Sequence, residues 1–366
     1  MRVLHAVRDK NRIDDALMDG KTFLGISSPY VHGDKAPQVE DRASIERISQ
    51  ERRRRGFKQL TFVDIAIDQG GSIPDIAPDW VELANKPAYH DDPFHVDGAG
   101  QLRYTVANMP GRPGTIAKIA SQLLQDRTLD YTKKLLGGLK KAVDEDADLG
   151  TAINAIDGKL TLKEVADLFG LKHSNVSENL RDVFSGKRKL VLGIPKEIKQ
   201  QEGRVGLLPS GVKELLRFSK ELGLDLEVRF EKGLGERIGI SDTEYIEMGA
   251  KMVGDADDLW AGSDMIQKVK EPLPDEYDRM KKGQLVFTYF HLASNETLTR
   301  KILERQITAV AYETLHKAEK VHLKDPRTYG SHPLLDPMSW VAGVEGALVG
   351  TAVEHGAIEV VHNPKR

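Results

Sequence analysis

The sequence predicts an α/β protein of two domains with mainly parallel sheets. Three observations carry this. Short apolar, β-branched runs alternate with longer stretches of helical spacing, which is the pattern of repeated strand–helix–strand units. The alternation occurs twice, over residues 1–75 and again from Leu190 onward. Several of the runs stop abruptly in charged or glycine-containing turns, as parallel strands do where their carboxyl ends face a ligand.

Taken in order, Arg2–Val7 reads as a strand, Asp9–Met18 as a helix ended by Gly20, and Thr22–Ile26 as a second strand. A charged helix, roughly Arg42 to Arg55, leads to Leu60–Ile67, an apolar run suited to a strand buried on both faces. That run breaks into Asp68-Gln69-Gly70-Gly71, where the glycines allow a sharp turn and a close approach. Residues 76–100 are polar. Leu102–Ala107 returns to strand character and stops at Asn108-Met109-Pro110-Gly111. Residues 115–145 have helical spacing, with Ile116, Ile119, Leu123 and Leu124 apolar, and 158–184 fit two short helices around a glycine turn. The second alternation has strands at 190–195, 226–230, 265–268, 285–288 and 308–312, with a helix near 209–222. A helix at 339–355 and a strand at 358–361 close the chain.

Composition narrows the function. The 366 residues suffice for two domains, and 40% hydrophobic with 30% charged residues is ordinary for a folded protein. A formal charge of −3 gives no global attraction to nucleic acid or anionic lipid. Without cysteine there is no disulfide, thiol nucleophile or thiolate metal site, and no metal is expected. No apolar run approaches a membrane span, and the first residues lack the apolar core of a secretion signal, so a cytoplasmic location is expected.

Some patterns invite readings they do not support. Arg52–Arg55 has no interleaved aromatic residues and follows Glu46 and Glu51, so it reads as a solvated helix end. Residues 158–184 resemble a helix-turn-helix DNA reader, but the second helix carries only Arg181 against Glu178 and Asp182, too little charge for phosphate contacts. Gly233, Gly235 and Gly239 are followed by no opening helix, so they form a structural turn rather than a phosphate loop.

Three ionisable residues stand just beyond strands of the second alternation: Arg204, Lys270 and His291. A guanidinium and an ammonium can grip a small carboxylate, and a histidine beside them can move protons near neutral pH. Each taken singly also fits a surface charge or a satisfied core histidine.

The segments around them form a recognisable set: Ile194-Pro195-Lys196-Glu197 through Arg204-Val205, Lys268-Val269-Lys270-Glu271-Pro272, Phe287–Leu292 and Ala311-Tyr312-Glu313-Thr314. With Pro337-Met338-Ser339, Val341-Ala342-Gly343, the 60–71 strand, Val106–Pro110 and 158–171, they resemble the alanine dehydrogenase family and the related subunit of pyridine nucleotide transhydrogenase. The resemblance implies two Rossmann-like domains and NAD-dependent oxidative deamination of L-alanine to pyruvate and ammonia. It implies that Arg204 and Lys270 bind the substrate carboxylate and that His291 and Asp68 are catalytic. It places Ile65, Ala66, Ile67, Asp68, Asn108, Met109 and Ser339 along the cofactor. The implied partners are small molecules and further copies of the chain in a homo-oligomer, not nucleic acid or membrane.

Two departures from the family pattern stand out. The carboxylate-binding half comes after the helical tail, not before it, as in a circular permutation. This predicts a nucleotide-binding-type domain at 1–112, a continuous substrate domain at 113–336, and a return to the first domain at 337–366. Second, the family's glycine-rich strand–turn–helix is not found in full; Gly356–Pro364 resembles only its second strand. That departure leaves two alternatives: a non-catalytic binding protein of the same family, or a related imine-reducing amino-acid dehydrogenase. Helix-turn-helix DNA binding is a weaker one.

Overall fold

The computed structural model describes residues 24–27, 42–57, 60–64, 89–92, 102–107, 117–184, 187, 189–199, 202–317, 332–339 and 341. The chain divides into two compact units, residues 1–112 with 341–366, and residues 113–340. The strands expected at 2–7 and 358–361, the helix at 9–18, and all but the first residues of the helix at 339–355 lie outside the described residues.

The first unit contains a four-stranded sheet. Its order is β1 (Leu24–Ser27), β2 (Leu60–Asp64), then β4 (Leu102–Ala107) and β3 (Tyr89–Asp92) at the edge. β1, β2 and β4 are parallel, and β3 is antiparallel. β2 lies between two neighbours, which is why its sequence is apolar or β-branched up to Asp64. β3, Tyr-His-Asp-Asp, falls in the stretch read only as polar; a polar strand is tolerated at an edge. Helix α1 (Arg42–Arg54) precedes β2. Arg54 and Arg55 are exposed and pair with Glu51 at 2.6 Å. Arg52 differs from the solvated reading. It lies four residues after buried Ile48, on the same helix face, and is itself fully buried beside the Phe57 ring.

The second unit is organised by an eight-stranded sheet. β7 (Lys189–Ile194), β8 (Asp225–Glu231), β9 (Lys251–Val253), β10 (Met265–Gln267), β11 (Leu285–Thr288) and β12 (Thr308–Ala311) are mutually parallel. All residues of β10, β11 and β12 are buried, as continuous apolar runs in a two-faced sheet must be. The chain builds β7, β8 and β9 outward in one direction. It then returns to β10 on the other side of β7 and continues through β11 and β12. This reversal is the topological switch point at which open α/β sheets bind ligands.

A hairpin of β5 (Ile153–Ile156) and β6 (Lys159–Leu160) extends this sheet, β5 running antiparallel to β12. Residues 158–184 therefore begin as strand, followed by two short helices at Lys163–Phe169 and Val176–Asn179. The second is a single turn, and Arg181 is bound to Asp157 at 2.9 Å. The expected long helix is also two pieces, α2 (Ala117–Leu136) and α3 (Leu139–Glu145), parted at Gly137-Gly138. Its buried face is mixed: Leu124, Leu135 and Leu136 are buried as apolar spacing suggests, but polar residues share that face. Ile119 is 63% exposed, while Ser121, Gln125, Thr128 and Thr132 are buried.

Candidate active site at the switch point

Strands β7, β10, β11 and β12 end nearly level. Gly193 pairs with Ile266, Gln267 with Phe287, and Thr288 with Ala311. The residues just beyond them carry the charge. Glu197, Glu202 and Arg204 follow β7; Lys268, Lys270 and Glu271 follow β10; His291 follows β11; Glu313 follows β12. Arg204, Lys270 and Lys268 are all buried.

Arg204 is locked along one edge. Its Nε donates to Glu202 Oε1 at 2.8 Å and its Nη2 to Oε2 at 2.6 Å, while its backbone N–H also donates to Oε1. Burial works against both charges. Arg204 nevertheless holds the Glu202 carboxyl below its ordinary range, with help from Lys270, and Glu202 raises Arg204. The third guanidinium nitrogen, Nη1, donates to no described group, so a planar donor edge is left over for a carboxylate.

The loop carrying Arg204 is fastened by helix α2. The Val205 N–H donates to Ser121 Oγ, and the Leu208 N–H donates to Gln125 Oε1 at 2.8 Å. Thr132 reaches Gln267 at the end of β10, and Gln267 in turn donates to the Gly206 carbonyl at 2.7 Å. This explains the buried polar face of α2: those side chains satisfy a loop that cannot hydrogen-bond to a strand. A Cβ at Gly206 would lie 2.7 Å from the Gln267 carbonyl oxygen, so only glycine lets loop and strand approach this closely.

Lys268 is held between two acids, 2.6 Å from Glu276 and 3.5 Å from Glu197. Glu276 takes the close contact. Burial therefore prevails at Glu197 and pushes its carboxyl up to about 7, against the pull of Lys268. Glu197 also accepts the Val269 N–H at 2.7 Å, pinning the segment that leads to Lys270. The Lys270 carbonyl accepts from Thr288 Oγ1 of β11 at 2.8 Å.

His291 has a positive φ of 50°, an uncommon conformation for a residue other than glycine. Buried Glu313 enforces it. Its carboxylate accepts the N–H groups of both Phe290 and His291, the latter at 2.6 Å. The His291 ring lies nearly parallel to that of Tyr289, with centroids 5.9 Å apart. Tyr289 is itself anchored, its hydroxyl donating to the Leu334 carbonyl at 2.6 Å.

Arg204, Lys270 and His291 thus gather at one sheet edge. Asp68, Ile65, Ala66, Ile67, Asn108 and Met109 lie outside the described residues. Ser339 is exposed at the end of a short helical stretch, its N–H bonded to the Leu335 carbonyl. Residue patterns alone did not single out Glu202 and Glu313 as supports of Arg204 and His291, nor Glu276 as the partner of Lys268. Glu202 acts from a loop, Glu276 from the helical turn Pro274–Tyr277 and Glu313 from just beyond β12, where spacing carries no signal. The one clue was charge placed directly after apolar runs. Among the described residues no group of three or more potential ligands could hold a metal ion, and no helix is long and apolar enough to cross a membrane.

Comparison with known proteins matches the same segments. The family model for the alanine dehydrogenase/PNT N-terminal domain matches residues 193–342, and the C-terminal domain model matches residues 8–163. The C-terminal type therefore precedes the N-terminal type, the reverse of the order their names describe. Alanine dehydrogenase of Mycolicibacterium smegmatis is 43% identical over 161 residues, 44% of this chain and 39% of that protein. The Staphylococcus saprophyticus alanine dehydrogenase is 45% identical over the same shares. A solved L-alanine dehydrogenase structure is 47% identical over 34% of this chain and 32% of its own, with a TM-score of 0.31. The matched region spans about two fifths of the length of the curated relatives.

Proposed function

The chain belongs to the alanine dehydrogenase/PNT family, and we propose that it catalyses the reversible NAD-dependent deamination of L-alanine to pyruvate and ammonia. The observation that carries this reading is the Arg204 guanidinium. It is held rigidly by Glu202 along one edge, at a switch point shared with Lys270 and His291, and its third nitrogen donates to no described group.

In this reading Arg204 Nη1 and Lys270 bind the substrate carboxylate. The fixed grip makes a multi-component reaction nearly unimolecular, since the reacting carbon no longer searches for its partners. His291 holds or moves the proton at the substrate nitrogen and at the water that adds to the imine, with Asp68 as its acidic companion. The turn serves this by fixing the backbone from which the imidazole projects: Glu313 holds the His291 N–H, and the ring lies nearly parallel to that of Tyr289.

The frame of the first unit suits a nicotinamide. β2 and β4 are parallel and in register at Asp64 and Val106, and their carboxyl ends lead in sequence into 65–68 and 108–109. Such strand ends are where α/β sheets take nucleotides. Ile65, Ala66, Ile67, Asp68, Asn108, Met109 and Ser339 would line it. When bound, NAD supplies the hydride-accepting carbon. The substrate domain is assigned to 113–336, and the nucleotide-binding domain to 1–112 with 337–366.

The test is NADH oxidation driven by pyruvate and ammonium, compared between the wild type and His291→Ala. The variant should bind pyruvate yet lose about a hundredfold or more in turnover, the scale of a missing acid–base group. Unchanged turnover would remove His291 from the mechanism. The missing glycine-rich turn favours one second reading, a family member that binds the carboxylate without a dinucleotide. Absence of saturable NADH fluorescence enhancement would select it.

A further inference from the structure

Glu271 has a feature that the mechanism above does not use. Its Oε1 is held by Lys199 Nζ at 2.5 Å. Its Oε2 is buried and, among the described residues, has no hydrogen-bond partner. Buried polar atoms are nearly always satisfied, and an orphaned one is costly, more so when charged. This one is charged. Burial opposes ionisation, but Lys199, Lys270 and His291 outweigh it and hold the carboxyl at about 2.

The position of the orphan is informative. Glu271 follows Lys270 directly at the end of β10 and precedes Pro272, which restricts the Glu271 backbone to extended conformations. It therefore belongs to the same switch-point edge as Arg204 and His291. A fixed anionic acceptor there, with a lone pair unused, is complementary to a small N–H donor of positive charge.

We propose that Glu271 Oε2 receives the nitrogen of the substrate, as the ammonium group of an α-amino acid or as ammonium ion in the reverse direction. This rests on the carboxylate-binding reading and deepens it. Arg204 and Lys270 take one end of a zwitterion and Glu271 takes the other. Selection for an amino acid over a simple carboxylic acid then comes from this side chain, because a ligand lacking the amine leaves Oε2 unsatisfied.

The experiment is calorimetric titration of the full chain, with NADH present, using L-alanine and propionate, which differ by the amine. The wild type should bind L-alanine at least about tenfold more tightly than propionate, the scale of one charge-assisted hydrogen bond. Glu271→Gln keeps shape and volume. It should lose that preference while propionate affinity changes by less than about twofold. A variant that keeps the preference overturns the proposal. So does one that loses both ligands equally, since that marks a general structural role. A wild type that binds the two alike overturns it without any variant. A wild type that binds neither sinks the carboxylate reading as well, so the two failures are distinguishable.

Discussion

At the scale of the residue, the site depends on buried charges that are individually costly and jointly fixed. Arg204 and Glu202 are both buried and bonded edge to edge. Breaking such a pair by removing one partner costs about 3–5 kcal/mol, because the other charge stays behind uncompensated. Arg204→Leu should therefore lower the unfolding temperature markedly, and adding Glu202→Gln should restore much of the loss. Additive losses in a thermal double-mutant cycle would contradict the pairing. Glu197 gives a pH signature. Its folded pKa is raised from 4.5 to about 7, so its protonated form is favoured by the fold. Its contribution is full below pH 4.5 and is lost as the pH rises through 7. Glu197→Gln mimics the protonated acid. Its stability relative to the wild type should rise across that window, as measured by chemical denaturation at several pH values. A flat difference would show that Lys268 compensates Glu197 fully. At this scale the placement of Lys270 and His291 just beyond apolar runs was legible in the sequence. The sequence was silent on Glu202 and Glu313, whose importance lies in the backbone groups and cations they meet in three dimensions.

At the scale of the element, helix α2 buries a mixed face that hydrophobic spacing alone does not reveal. Ile119, one of its apolar positions, is 63% exposed, whereas Leu124 is buried. The helix also turns Ser121, Gln125 and Thr132 inward to satisfy the Arg204 loop and β10. Loops near a ligand site need donors and acceptors that a strand neighbour would otherwise supply, and period alone cannot reveal that need. Gln125→Ala should cost about 1–3 kcal/mol by leaving the Leu208 N–H unpaired, and should weaken pyruvate binding as the loop loosens. Ile119→Lys should change stability by less than about 0.5 kcal/mol. Equal effects from the two variants would mean that the helix faces are assigned wrongly. The core strands β7, β11 and β12 were legible because both faces are buried and their sequences are uninterrupted. Short strands such as β6 and β9, of two and three residues, carry too little pattern to find.

At the scale of the whole molecule, the order of segments is the main fact. The β5–β6 hairpin precedes β7 in the chain but lies beyond β12 in the sheet, and α2 buttresses the loop after β7. Segments that family order would place at opposite ends are thus joined in one unit, 113–340. The resemblance in the sequence already indicated the reversed order; the hairpin pairing did not follow from it, because antiparallel partners more than 150 residues apart leave no local trace. A chain beginning at residue 188 would lack both hairpin and α2, exposing the edge of β12 and the polar loop. It should fail to unfold cooperatively and should associate through that edge, as read by circular dichroism and size-exclusion chromatography. A monomeric, cooperatively folded product would show that the upstream segment is dispensable. The most direct test of the account is the initial rate of NADH oxidation by the full chain with pyruvate and ammonium supplied separately and together. Oxidation is expected only when both are present; no oxidation with both, or oxidation with pyruvate alone, would contradict the proposed reaction.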